Sequence, residues 1–222
     1  MTVQGYAQRW DGVYDNDNLP QSGLPGLIVI RDEFARVDQV PIGTAADGNV
    51  DREWQYITGA SGLWGVVAGR AQPTHTPGST TSFITIVDTG IADGEVSATL
   101  AALGASAATT DGTGIIARVP TPLADATNQL RLVASTTLGW RLQQVVGGTL
   151  NTLVTTEVAC APGDTIKLRV VGTTAVATIN GVEFPYPGVS AGLTGHGFGM
   201  RAPRNSSTAS AALDSFRFNG LD

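Results

Sequence analysis

The chain has 222 residues, 42% of them hydrophobic, and a formal net charge of −6 from 13 basic and 19 acidic residues. A chain of this length buries a full core, so one large domain with an appendage is the expected layout. Its single lysine is Lys167, and no basic cluster offers itself to phosphates, which excludes nucleic acid as an expected partner.

The lone Cys160 forms no internal disulfide and reads as a small buried hydrophobe. The opening MTVQGYAQRWDG has neither a basic n-region nor an apolar h-region, so no secretory signal is expected. No run of about eighteen apolar residues marks a membrane span. A soluble protein folding in a reducing cytoplasm is the expectation.

Taken in order, residues 1–30 stand apart. QRWDGVYDNDNLPQSGLPG is polar and broken by prolines and glycines, with Tyr6, Trp10, Tyr14 and Leu19 spaced through the segment. It keeps neither helical nor strand periodicity for long. Aromatics in such a stretch either fold back on the domain or anchor on a neighbour, where Trp and Tyr contribute disproportionately. The second is preferred, and residues 1–30 are read as an attachment arm.

From Leu27 the chain reads as strands: LIVIRDEF, then ADGNVDREWQYITG, LWGVVAGRAQP, TSFITIVDTG, GEVSATLAAL, GIIARVP, NQLRLVAS, GWRLQQVV and LNTLVTTEVA. The Ala-rich TLAALGASAATTDG is interrupted by Gly104 and reads as strand plus loop. Each run is short and bounded by Gly, Asp, Asn or Pro turns, the pattern of a sandwich. In GDTIKLRVVGTTAVATING, Ile166, Leu168 and Val170 alternate with Lys167 and Arg169, the two-residue period of a half-buried strand. Gly172-Thr173-Thr174 is a turn, and Asn180-Gly181 is a strong hairpin signal because both residues tolerate positive φ. The expected product is a three-stranded meander. SAALDSFRF closes the chain.

That meander, preceded by APGD, resembles the late strands of laminin-G-like and concanavalin-like jelly rolls. Asp32-x-Phe34 with Arg36, Gly43, Asp47-Gly48, Trp54 and Gly62-x-Trp64-x-Val66 resemble the opening pattern of such domains in tailed bacteriophages and actinobacterial surface proteins. VDTGIADGEVSATL, GHGFGMRA and ALDSFRF extend the likeness over residues 31–222. The resemblance implies an all-β antiparallel sandwich of two sheets, about six or seven strands each, with Phe34 near Phe216 and Phe218. It also implies a virion structural protein made in a host cytoplasm. Such a protein decorates a capsid or belongs to a tail or fibre, contacts capsid or tail subunits through its arm, and forms a homo-oligomer such as a trimer. A carbohydrate-binding module, taking a host-surface glycan for example, is the alternative. Fold likeness alone fixes neither.

The candidate sites have structural readings beside the functional ones. Glycosidases of this fold carry two neighbouring carboxylates, about 5–5.5 Å apart for retaining chemistry. The paired acids here are Asp32/Glu33, which face opposite sides of a strand, and Asp51/Glu53 beside a turn, so no enzyme is expected. Asp32, Asp47, Asp51 and Asp214 could converge on calcium at the sandwich rim, or cap turns through backbone amides, which is preferred. Otherwise no cofactor is expected. Trp54 and Trp64 are expected in the core. Trp140 is core or a sugar platform. His75 and His196 lie in loops without a metal-ligand partner at familiar spacing. GLWGVVAGR lacks the lysine of a phosphate loop and reads as strand and turn.

Overall fold

The computed structural model describes residues 28–56, 63–74, 83–103, 112–123, 127–135, 137–202 and 211–221. The arm residues Tyr6, Trp10, Tyr14 and Leu19 lie outside the described residues, as does His75. The chain opens with β1 (Val29–Asp32) and the short β2 (Thr44–Ala45), β3 (Arg52–Glu53) and β4 (Gln55–Tyr56). A hairpin of β5 (Leu63–Val67) and β6 (Arg70–Thr74) turns on Ala68 and Gly69, both at positive φ. There follow β7 (Phe83–Asp88), β8 (Gly94–Ala102), β9 (Gly114–Val119), β10 (Gln129–Ser135), β11 (Gly139–Val146) and β12 (Thr149–Thr155). The meander β13 (Thr165–Val171), β14 (Thr174–Ile179) and β15 (Val182–Tyr186) leads to β16 (Gly197–Ala202) and β17 (Ala212–Gly220).

The strands form an antiparallel jelly-roll sandwich. One sheet runs β15-β14-β13-β8-β17-β6-β5, with β1 also paired to β17. The other runs β12-β11-β10-β9-β16-β7-β4, and β2 and β3 make a separate ribbon. The sheets therefore hold eight and seven strands, one more than expected in the first. The first and last strands do pair, Val29 opposite Asn219 through Asp32 opposite Phe216. That pairing brings Trp54 against Phe216 at 4.8 Å between ring centroids and against Phe34 at 6.5 Å. The meander turns where glycine and asparagine allow it, with Asn180 at φ 50° and Gly181 at φ 83°.

Alternation decides the two faces. Ile166, Leu168 and Val170 point inward from β13, and Ile115, Ala117, Leu130, Leu132, Leu142, Phe198 and Met200 point inward from the opposing sheet. Together they form one continuous core with Trp54, Trp64 and Trp140. Each large side chain so buried contributes on the order of 1.5–3 kcal/mol. The outer face of the seven-stranded sheet carries a second, smaller apolar cluster of Ile84, Ile86, Ile116, Val119 and Leu123.

Register lays that outer face out in rows. One row reads Thr152, Gln143, Arg131, Ile116, Gly199, Ile86 and Gln55 across successive strands. The next reads Thr155, Arg141, Val133, Gly114, Arg201 and Ile84. Gly199 has no room for a side chain, since a Cβ there would stand 2.0 Å from the Thr85 carbonyl oxygen. The arginines of these rows are nearly shut off from solvent: Arg131, Arg141 and Arg201 are 4%, 4% and 3% exposed.

Candidate functional site

An open concavity lies at one end of the seven-stranded sheet, where the β9–β10 connection meets the segment entering β16. It encloses about 340 Å³ between Arg118, Pro120, Thr121, Asn128, Gly192, Thr194, Gly195 and His196. That volume falls within the usual size of small-ligand pockets. Antiparallel pairing of β9 with β16, Val119 opposite Gly197, brings together segments more than seventy residues apart. Gly195 makes the junction, because a Cβ there would lie 2.2 Å from the Val119 carbonyl oxygen.

Two of the wall residues are held in place by hydrogen bonds. The His196 carbonyl accepts from the Thr89 amide at 3.1 Å and from the Thr89 hydroxyl at 2.8 Å, leaving the exposed imidazole at the surface. Asn128 Oδ1 accepts from the Gly147 amide at 3.0 Å, so its NH2 group is left to donate. Thr121, before a cis bond to Pro122, and Thr194 add two hydroxyls. Arg118 is a strut rather than a free cation. Its Nε donates to Ala92 O at 3.0 Å, Nη1 to Gly172 O at 2.6 Å, and Nη2 pairs with Asp93. Asp93 also accepts from the Gly172 amide at 3.1 Å, tying the end of one sheet to the other. The pocket thus offers donors, acceptors and one flat ring, and no carboxylate lines it.

A second hollow of about 410 Å³ lies on the eight-stranded sheet between Asp93, Arg169, Val171, Thr174, Val176 and Leu221. Three of those six side chains are aliphatic, which gives a ligand less to hydrogen-bond.

The remaining candidates resolve individually. Trp140 is 0% exposed, and its Nε1 donates to Asp164 Oδ2 at 2.9 Å, so it belongs to the core and offers no platform to a sugar. Asp164 also accepts from the Ala161 amide and from Asn180 Nδ2 at 2.9 and 2.8 Å. Burial raises its pKa, but the hydrogen bonds from Asn180, Ala161 and Trp140 outweigh that and hold it below the ordinary aspartate value. Cys160 is half-buried against the core, and desolvation pushes its thiol up to about 11.

The four aspartates do not gather round a calcium ion. Asp32 is fully buried and accepts from the Phe34 amide at 2.9 Å, from Trp54 Nε1 at 2.9 Å and from both Nη groups of Arg36. Asp47 accepts from the Glu33 amide at 2.8 Å, a bond between segments fourteen residues apart rather than a cap of its own turn. Asp214 pairs with Arg70 at 2.8 Å, and Asp51 is exposed beside β3. Among the described residues no three His, Cys, Asp or Glu side chains assemble as metal ligands. Burial also separates Asp32 from Glu33, whose Oε1 takes Arg31 at the surface. Within the seven strands β4, β7, β9, β10, β11, β12 and β16, Asp88 is the single carboxylate.

The sequence gives no sign of Arg118, Thr121, Asn128 and Thr194 as site residues and marks His196 only as a loop histidine without a metal-ligand partner. The only signal was two small-residue loops, TPLADATNQ and SAGLTGHG, whose meeting depends on the β9–β16 pairing.

No protein family matches this sequence, and no curated protein is similar to it in sequence. Its fold is similar to several solved structures. A prokaryotic β-1,3-1,4-glucanase (lichenase) derived from a mouse hindgut metagenome shares 8% identity, with 87% of this chain and 99% of that chain covered at a TM-score of 0.57. The Bacillus licheniformis β-glucanase gives 9% identity, 87% and 98% coverage and a TM-score of 0.55. A structure from work on endo-acting O-glycanases of human gut microbiota members gives 10%, 86% and 98%, and 0.54. At such identities the likeness is one of fold. It bears out the concanavalin-like jelly roll and lends nothing to the virion half of the resemblance.

Proposed function

We propose that this chain is a carbohydrate-binding domain and that the end pocket is its sugar site. The observation that carries the reading is the pocket's lining. An imidazole, an amide NH2 and two threonine hydroxyls stand around about 340 Å³ of open space, with the His196 backbone and the Asn128 side chain each held by hydrogen bonds. Sugars present hydroxyls that both donate and accept, together with ring faces that lie on flat side chains, and this lining answers both. Preorganised polar groups of this kind fix orientation, while the glycines open the space.

The reading is binding without chemistry. Glycoside cleavage calls for two carboxylates flanking the bond. Neither the pocket lining nor the outer face of the seven-stranded sheet supplies such a pair among the described residues. The jelly-roll glucanases with which the chain shares its fold act on β-glucans, as their names state, and that supports a glycan as the ligand class. Display on a virion rests on the arm residues Tyr6, Trp10, Tyr14 and Leu19, and sugar binding would serve such display equally well.

The test is a glycan array followed by calorimetry on the hits. Binding should fall at least tenfold in both His196→Ala and Asn128→Ala, with melting temperatures unchanged. Hits that both variants retain at full affinity would move the site elsewhere, and an array without hits would remove the reading.

A further inference from the structure

Among the described residues, the buried and half-buried guanidinium groups mostly find acceptors. Arg118 has three acceptors, Arg36 has Asp32 and the Ile42 carbonyl, and Arg131 Nε donates to Gln143 Oε1 at 2.9 Å. Arg36 and Arg201 each leave only Nε unmet, whereas Arg141 leaves two donors. It is 4% exposed, and both its Nε and its Nη2 are buried without a hydrogen-bond partner. These two N–H groups lie along one edge of the guanidinium and point in parallel, the fork that takes a planar carboxylate in two bonds. A donor left buried and unmet bears its full desolvation penalty, which a bound acceptor relieves.

The surroundings favour an anion and give it a route. Arg131, Arg141 and Arg201 occupy the same sheet face, whose strands hold Asp88 as their single carboxylate, in a protein of net charge −6. In its row Arg141 stands between Val133 and Thr155. Thr155 belongs to the edge strand β12 and is exposed, so Arg141 is the first residue inward from an open sheet edge along this row. Burial lowers the pKa of Arg141, the expected mark of a cation desolvated without a partner, and Cys160 is the ionisable group that acts on it.

We propose that the Nε–Nη2 edge of Arg141 is a carboxylate-binding site. Resting on the glycan reading above, the acid it takes is that of a uronic-acid residue in an acidic glycan. The site lies apart from the end pocket. Val133, the cross-strand partner of Arg141, is five residues along β10 from Asn128, or about 17 Å at the usual strand rise. A glycan of several residues spans that distance, its acid on Arg141 and a neutral ring beside His196.

The experiment is calorimetry on the full chain with trigalacturonate, free glucuronate, cellotriose and inorganic sulfate, for wild type, Arg141→Lys and Arg141→Gln. The proposal expects trigalacturonate to bind at least tenfold tighter than cellotriose. Arg141→Lys, which keeps the charge and loses the fork, should remove most of that preference and leave cellotriose unchanged. Equal affinity for the two sugars, or a preference that survives both substitutions, overturns the carboxylate site and leaves the glycan reading standing. Arg141-dependent binding of free glucuronate with no binding of either trisaccharide upholds the site and overturns the glycan reading. Sulfate binding as tightly as glucuronate overturns the assignment to a carboxylate. Should the variants fail to fold, the wild-type protein still decides. Glucuronate must shift the Arg141 Nε–H resonance in a nitrogen-15 spectrum, and an unmoved resonance at saturating ligand overturns the proposal.

Discussion

Replacing Asp164 by alanine tests how the sandwich closes over Trp140. The carboxylate accepts from Trp140 Nε1, the Ala161 amide and Asn180 Nδ2, at 2.9, 2.9 and 2.8 Å. Trp140 is 0% exposed, so its indole N–H would be stranded, at about 1–3 kcal/mol. Ala161 and Asn180 are exposed residues whose donors can turn to water, so together they add only about 1 kcal/mol. The expected loss is about 3 kcal/mol, which for a chain of this size lowers Tm by roughly 6–12 °C. Urea unfolding should show a lower midpoint at an unchanged slope. The partner variant Trp140→Phe, combined with Asp164→Ala, should cost clearly less than the sum of the two, since both remove the same bond. A loss under about 1 kcal/mol, or strict additivity, would refute the argument that this bond locks the core tryptophan.

Acid sensitivity follows from the same group. The folded pKa of Asp164 lies below its unfolded value, near 3.9, so its contribution is complete above that pH and is lost as pH falls through the folded pKa. Melting temperatures measured from pH 6 downward should drop below about pH 4, and Asp164→Asn should flatten that part of the profile. Cys160, with its thiol at about 11, should react with iodoacetamide at pH 8 on the order of a hundredfold more slowly than free cysteine. Gly199→Ala forces a Cβ to 2.0 Å from the Thr85 oxygen and 2.6 Å from the Ile86 Cα, and should destabilise by about 3 kcal/mol in chemical denaturation. Gly181→Ala meets no atom within 4 Å but holds φ at 83°, and should cost only about 1–2 kcal/mol.

Strands and turns were legible because their cause is local. Ile166, Leu168 and Val170 declare a face by alternation, and Asn180-Gly181 declares its turn by backbone freedom. The neighbouring of the first and last strands was reached through resemblance to jelly rolls, and β1–β17 pairing realises it, with Phe34 just past the end of β1 and reaching Phe216 by way of Trp54. The site was not legible, since nothing in TPLADATNQ says that His196 stands beside it. That depends on the β9–β16 register, a contact between distant segments. Trp140 shows the limit from the other side. An aromatic after Leu-Gly could face either way, and the deciding fact is Asp164, twenty-four residues on and waiting for its indole N–H. The four aspartates looked alike in the sequence, yet Asp32 spends its acceptors on Arg36 and Trp54 while Asp214 turns outward to Arg70.

The central claim is that the end pocket holds sugar, and an amide chemical-shift titration on the labelled chain addresses it most directly. With a glycan identified by array, the largest shifts should centre on Thr121, Asn128, Thr194 and His196. Shifts centred instead around Val171, Val176 and Leu221 on the opposite sheet, or no shifts with any glycan tested, would contradict the account.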